Sequence, residues 1–197
     1  MRCKPKLPPH YHHPIRGICR WCNKPIVENG AINRRKLWHK ECIEPGLFIL
    51  QPSHAAFRVF ERDCGICQAC KLDVGQLERD LQSMRTQTFI GKTWKETQEQ
   101  FDAKVAAANA GIERIWHELL SRGFSQRSFQ KALHGTGRLW QMDHVQPIWK
   151  SKGELRFFEP ANCQLLCLAC HAMKTKIDTQ DARACRTNGD RLEHLHD

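Results

Sequence analysis

Residues able to move protons and hold metal ions converge on the stretch from Leu139 to Thr175. It opens LWQMDHVQPI, passes through ANCQLLC and closes on CLACHAMKT. In order it supplies Asp143 beside His144, then Asn162, then Cys167 and Cys170 running into His171. A histidine next to a carboxylate suits general-base work and metal binding together. Phosphodiester hydrolysis needs such a set: a deprotonated water, neutralised phosphate oxygens and charge stabilisation on the departing oxygen. Histidine titrates near neutrality, so His144 is the candidate base. Asp143 and His171 can hold one divalent ion at the scissile phosphate and the leaving 3′ oxygen. Asn162 either fixes the loop that orients His144 or lends its carbonyl to the metal. Lys174 and Thr175 are candidates to bind a flanking phosphate near a helix N-terminus.

Positioning these groups takes four elements. Leu139 to Val145 reads as a strand with Trp140 and Met142 on its core face, and Pro147 limits its continuation. Asn162 to Cys167 reads as a second strand carrying Leu165 and Leu166. The connection between them contains Gly153 and Pro160. From Leu168 the pattern is helical, with His171 in the first turn and Lys174 one turn later. Strict alternation sends Asp143 and His144 to opposite faces, so the strand end must bend if both serve one site.

Cys167 and Cys170 are half of a four-ligand zinc site, and the rest of the chain must supply the other half. Upstream, CGICQAC offers two overlapping Cys-x-x-Cys pairs. Cys67 and Cys70 are the chosen partners, which leaves Cys64 as a small buried hydrophobe or a spare thiol. A second set lies earlier: Cys19 and Cys22, then His39 and Cys42, spaced to enclose one structural Zn²⁺. Between them Asn29-Gly30 signals a tight turn joining two short strands. So small a segment has little core, and metal binding must supply much of its folding free energy.

Elsewhere, residues 1–15 read as a disordered or extended basic arm, with His10, His12 and His13 solvated. Residues 53–63 read as a short helix with Ser53 as N-cap and Phe57 and Phe60 inward. Over 76–122, Phe101, Val105, Ala108, Ile112, Ile115 and Leu119 recur at helical spacing, with Trp94 and Trp116 added to the same buried side. Gly91 and nearby threonines suggest two helices joined by a turn. Arg127, Lys131 and Arg138 form either a phosphate-contacting surface or a solvated basic face. Residues 186–197 read as a polar tail.

Composition bounds the partners. The formal charge is +10, and seven ligand thiolates with two Zn²⁺ would bring it to roughly +7. That points to a polyanion, nucleic acid first and an anionic membrane second, and says nothing of protein partners. Eleven cysteines, an odd count rich in Cys-x-x-Cys, read as metal ligands in a reducing compartment. The opening MRCKPKLPPHYHHP lacks the apolar core of a signal peptide. No apolar run approaches the ~20 residues of a membrane span. A cytoplasmic protein, or a nucleoid or nuclear one, is expected, and not a secreted one.

Asp-His-x-x-Pro, Asn162 and Cys-x-x-Cys-His with Lys-Thr after it resemble the signature of HNH endonucleases, whose three letters fall on His144, Asn162 and His171. FERDCGICQAC resembles the zinc knuckle upstream of that site. The resemblance extends to bacterial and phage HNH nucleases and to the nuclease module of annealing-helicase-type DNA translocases. It covers about residues 16–60, 62–75 and 120–176. WKSKGELRFFEP stands where the family has a Gly-Gly turn. The resemblance implies a ββα-metal fold that nicks or cuts DNA to leave a 5′-phosphate. It makes His144 the general base, Asp143 and His171 the metal ligands, and Asn162 the loop support. Restriction, defence, mobile-element, phage or repair settings all fit.

The expected class is therefore α+β: a small zinc-stabilised ββα-metal (HNH) core with an N-terminal zinc knuckle and a helical insertion. The knuckle occupies 16–52 and the nuclease domain 53–185, with 76–121 inserted. The alternatives are a non-catalytic zinc-stabilised DNA-binding protein and a protein-interaction zinc domain, the latter opposed by the positive charge.

Overall fold

A computed structural model describes residues 5–7 and 9–193. Cys3, the start of the expected arm and the last four residues of the expected tail lie outside the described residues. The chain forms two compact units. One runs to Glu61 and takes in His144–Gln164, and the other comprises Arg62–Asp143 and resumes at Leu165.

The first unit begins with a turn of helix, α1 (Pro9–His12), where an extended arm is expected. Tyr11 fixes it there, with its ring 6.2 Å from Trp38 and under the Arg20 guanidinium at 4.4 Å. Strands β1 (Val27–Glu28) and β2 (Ala31–Ile32) pair antiparallel. Asn29 and Gly30 between them both take positive φ, 51° and 77°, as the two-residue turn requires. Helix α2 (Lys40–Leu50) follows His39 directly and buries Cys42, Gly46 and Phe48. Gly46 is needed there because a Cβ would come within 2.5 Å of the Trp38 ring. Helix α3 (Pro52–Arg62) opens on a proline, whose missing N–H costs nothing in a first turn. Ser53 therefore lies inside the helix and does not cap it. Ala55 and Val59 form the buried face, while Phe57 is 52% exposed, correcting its inward assignment.

The second unit is built on three helices that pack against one another. Asp73 caps α4 (Val74–Phe89) by accepting from Gln76 N at 2.7 Å. Thr97 and Gln100 form a capping box at the start of α5 (Gln98–Ser121). Ser125 caps α6 (Gln126–Leu133). The stripe foreseen on α5 packs inward, with Ala108, Ile115 and Leu119 buried alongside Leu81, Phe124 and Phe129. Trp116 joins it, 4.9 Å from Phe129. Trp94 does not: it sits in the connection between α4 and α5, outside the helical phase, and is 89% exposed.

Beyond them, β3 (Trp140–His144) and β4 (Cys163–Cys167) form a two-stranded sheet, and β4 runs straight into α7 (Leu168–Glu193). Both strands are shorter than expected, and Asn162 ends a 3₁₀ turn ahead of β4. Leu165 and Leu166 are both buried, so β4 is covered on both faces. No helix among the described residues is long and apolar enough to cross a membrane.

Two carboxylates pin this sheet, and neither was foreseen. Glu78 of α4 accepts from Leu139 N at 2.6 Å and from the Trp140 indole at 3.3 Å. Asp63 accepts from Leu165 N at 2.8 Å. Burial raises the Glu78 pKa, against the N–H donors of Leu139 and Trp140 and the nearby Arg138 charge, which lower it. Since its folded pKa lies above the unfolded value, ionising Glu78 removes stability as pH rises through the window between the two. Glu78→Ala strands two donors and should cost about 1–3 kcal/mol, read as a lower urea midpoint. Glu78→Gln keeps an acceptor and should flatten stability against pH in that acidic window. An unchanged midpoint in Glu78→Ala would remove this clamp from the account.

Candidate functional site

Two clusters have metal-ligand chemistry: Cys19, Cys22, His39 and Cys42 in the first unit, and Cys67, Cys70, Cys167 and Cys170 in the second. Within each, the ligand atoms lie within 4.8 Å of one another. In the first, His39 Nε2 sits 3.0 Å from the Pro25 carbonyl, to which it can only donate. That fixes the tautomer and leaves Nδ1 for the ion, 3.3 Å from Cys22 Sγ and 3.9 Å from Cys42 Sγ. In the second, Cys70 Sγ and Cys167 Sγ are 3.8 Å apart although 97 residues separate them. Cys64 is exposed, which excludes the buried role offered for it and leaves a spare thiol.

The thiols argue for a cation in each cluster. Burial pushes Cys19 up, but the N–H groups of Cys22, His39 and Trp21 outweigh it and bring the pKa to about 6. Burial and the neighbouring Cys19 and Cys22 thiols push Cys42 up to about 12. The second cluster repeats this, with Cys67 at about 7, Cys170 at about 11 and Cys167 also raised by burial. In each cluster backbone N–H groups hold one thiol low while burial and neighbouring thiols hold another high, and a bound dication would favour the thiolate form of both. Three or four soft sulfur donors, with or without an imidazole, fit Zn²⁺.

The two knuckles share one backbone design. Cys19 N donates to Lys24 O and Cys67 N to Leu72 O, each at 2.9 Å. Ile18 bridges Pro25 as Ile66 bridges Asp73. Asn23 and Lys71, each just after the second cysteine, take φ of 59° and 61°. The repeated Gly-Ile-Cys-x-x-Cys at residues 17–22 and 65–70 is the sequence signal for this, and it singles out the pair Cys67 and Cys70 over Cys64 and Cys67.

The residues expected to do chemistry fall in both units. In the first, Asn162 is committed to the backbone of its loop. Its Oδ1 accepts from Gln146 N at 2.7 Å, and its Nδ2 donates to Gln146 O at 3.0 Å and Phe157 O at 2.8 Å. Its own carbonyl accepts from Val145 N at 2.7 Å. His144 meets the Phe158 ring edge-on at 6.0 Å. The loop between, lacking a Gly-Gly turn, is built from short 3₁₀ turns at Ile148–Ser151, Leu155–Phe158 and Pro160–Asn162.

In the second unit Asp143 faces two cationic or basic groups from one face of α7. His171 Nε2 is 3.9 Å from Oδ1 and Lys174 Nζ is 3.0 Å from Oδ2. Lys174 also reaches Asp178 at 2.6 Å. Burial would lower the Lys174 pKa, but the two carboxylates outweigh it and keep the amine charged. Asp143 Oδ2 is buried and is matched by the Lys174 ammonium, while Oδ1 is the oxygen on the side of His171. A carboxylate with an imidazole beside it fits a divalent cation. Of the expected phosphate ligands, Arg127, Lys131 and Thr175 are exposed, and exposed Arg138 lies over the Trp140 ring at 4.6 Å.

Residues 130–176 match the family model described as HNH endonuclease. The chain carries an HNH domain. It is also similar to the DNA annealing helicase and endonuclease ZRANB3 of Mus musculus, 23% identical over 179 residues, covering 87% of this chain and 14% of that protein. The Homo sapiens protein of the same name is 21% identical over 188 residues, 91% of this chain and 15% of the relative. This chain thus spans a small fraction of the length of those relatives. No solved structure matches it. The matched span takes in β3, β4 and the start of α7.

Metal analysis of the purified chain should return two Zn²⁺ per molecule. Cys167→Ser should lose the ion of the second unit and Cys42→Ser that of the first. One ion or none in the unaltered chain would refute the two-site account.

Proposed function

We propose that the chain is a metal-dependent DNA endonuclease that hydrolyses phosphodiester bonds. The observation that carries the reading is Asp143: a half-buried carboxylate faced by His171 and Lys174 and next in sequence to His144. His144 takes the proton from the attacking water, a role worth roughly 10²–10⁴-fold in rate. Asn162, bonded to the backbone at Val145, Gln146 and Phe157, holds the segment after His144 and so orients the imidazole. Asp143 and His171 would hold a divalent ion, Mg²⁺ or Mn²⁺, which supplies charge stabilisation at the scissile phosphate and the departing 3′ oxygen. Lys174, already charged, and exposed Thr175 bind a flanking phosphate, with Arg127, Lys131 and Arg138 contacting the backbone further out. The names of the similar proteins, which pair endonuclease activity with DNA, support DNA as the substrate. The two zinc ions are structural, and the reaction belongs to the separate divalent ion.

Supercoiled plasmid should be nicked or linearised when Mg²⁺ or Mn²⁺ is added, and His144→Ala should lose at least a hundredfold in rate with its zinc content intact. Undiminished cutting by His144→Ala would sink the general-base assignment. Tight DNA binding without cutting in any divalent ion would favour the zinc-stabilised binding protein instead.

A further inference from the structure

The first zinc knuckle carries charge that its fold does not need. Residues 16–40 contain seven lysines and arginines against one glutamate. The second knuckle, with the same hydrogen bonds and φ pattern, holds Arg62 and Lys71 against Asp63 and Asp73 and is neutral. It also spends its charges on structure, since Asp63 and Asp73 bond to backbone N–H groups. Zinc and turn geometry are common to both, so neither explains the excess on the first.

Within that knuckle the basic residues divide by use. Arg20 is structural, donating to the Tyr11 carbonyl at 2.9 and 3.1 Å while stacking on its ring. Lys36 pairs with Glu28. Arg16, Lys24, Arg34, Arg35 and Lys40 are exposed and form no ion pair among the described residues. Local geometry gathers three of them. Gly17 is buried so closely that a Cβ would lie 2.5 Å from Ile32 Cγ2 and 3.5 Å from Arg34 Cα, so the backbone next to Arg16 lies against that of Arg34. The Asn33 side chain accepts from Arg35 N at 2.9 Å, and Lys36 N donates to Asn33 O, so a tight turn presents Arg34 and Arg35 in succession. Arg20 N donates to Leu37 O at 2.8 Å and straps the far end of this turn to the knuckle.

We propose that this surface, centred on Arg16, Arg34 and Arg35, is a second DNA contact that grips the phosphate backbone. Unpaired guanidinium groups carried on a hydrogen-bonded turn match the bidentate geometry of phosphate oxygens. Phosphate contacts position a protein without reading sequence, so the knuckle would hold the duplex whatever its sequence. The inference rests on the proposed DNA substrate but names residues that take no part in cutting.

The test measures binding of the full chain to a labelled duplex in Mg²⁺-free buffer across a salt series. Each lost phosphate contact lowers the slope of log affinity against log salt by about 0.9, so Arg34→Ala/Arg35→Ala should lower it by about 1 to 2. Affinity at low salt should fall roughly tenfold or more. The Arg34→Lys/Arg35→Lys variant, which keeps the charges, should recover most of the slope, and zinc content should stay at the unaltered level in both. An unchanged slope in the alanine variant overturns the proposal, as does binding to phosphatidylserine vesicles in place of the duplex. Plasmid cutting is read in parallel. A chain that cuts with an unchanged slope loses this surface and keeps its nuclease assignment, and one that shows the slope change without cutting does the reverse.

Discussion

Everything in the second unit hangs on four thiols that must meet across almost a hundred residues. Cys67 and Cys70 lie on a knuckle ahead of α4, while Cys167 and Cys170 lie at the end of β4 and in the first turn of α7. An ion held by both pairs closes the intervening chain into a ring. By analogy with a covalent cross-link, closing a loop of about 100 residues removes about 4.7 kcal/mol of unfolded-state entropy, apart from the binding energy of the ion. A structural zinc contributes apparent free energies of about 10–16 kcal/mol, far more than any single buried side chain here. An ion there would anchor the end of β4 and fix the start of α7, and with it the placement of His171 and Lys174 facing Asp143.

The helical insertion is part of the same device. Glu78 of α4 reaches the start of β3 and Asp63 reaches the middle of β4, so each strand hydrogen-bonds to a carboxylate from the preceding segments. A buried carboxylate is costly unless donors surround it, and here backbone N–H groups do that work. Three capped helices then serve as a frame that holds one acceptor against Leu139 and Trp140. This ties the insertion to the strand that ends in Asp143 and His144.

What could be read from the residues follows from the range of the interactions. The zinc ligands and the Asn29-Gly30 turn were legible because their chemistry fixes short spacings. The α5 stripe was legible because helical periodicity is local. Phe57 and Trp94 were misplaced because size and apolarity do not set phase: Ala55 and Val59 define the inner face of α3, and Trp94 lies in a connection. The Glu78 and Asp63 clamps span 61 and 102 residues, and nothing in their neighbourhoods marks them apart from surface carboxylates. The candidate catalytic residues could be named from their order, but not the commitment of Asn162 to two backbone segments or the pairing of Lys174 with Asp143.

The ring closed by the second metal site has a mechanical consequence. The exposed connection between α4 and α5, which contains Gly91 and Trp94, lies inside that ring. A protease that severed it would leave the polypeptide in two pieces that still share one ion, with α4 also packed on α5. The chain is in this sense already divisible: two fragments made separately and mixed with zinc have the contacts needed to reassemble, and a chelator would be the agent that lets them part.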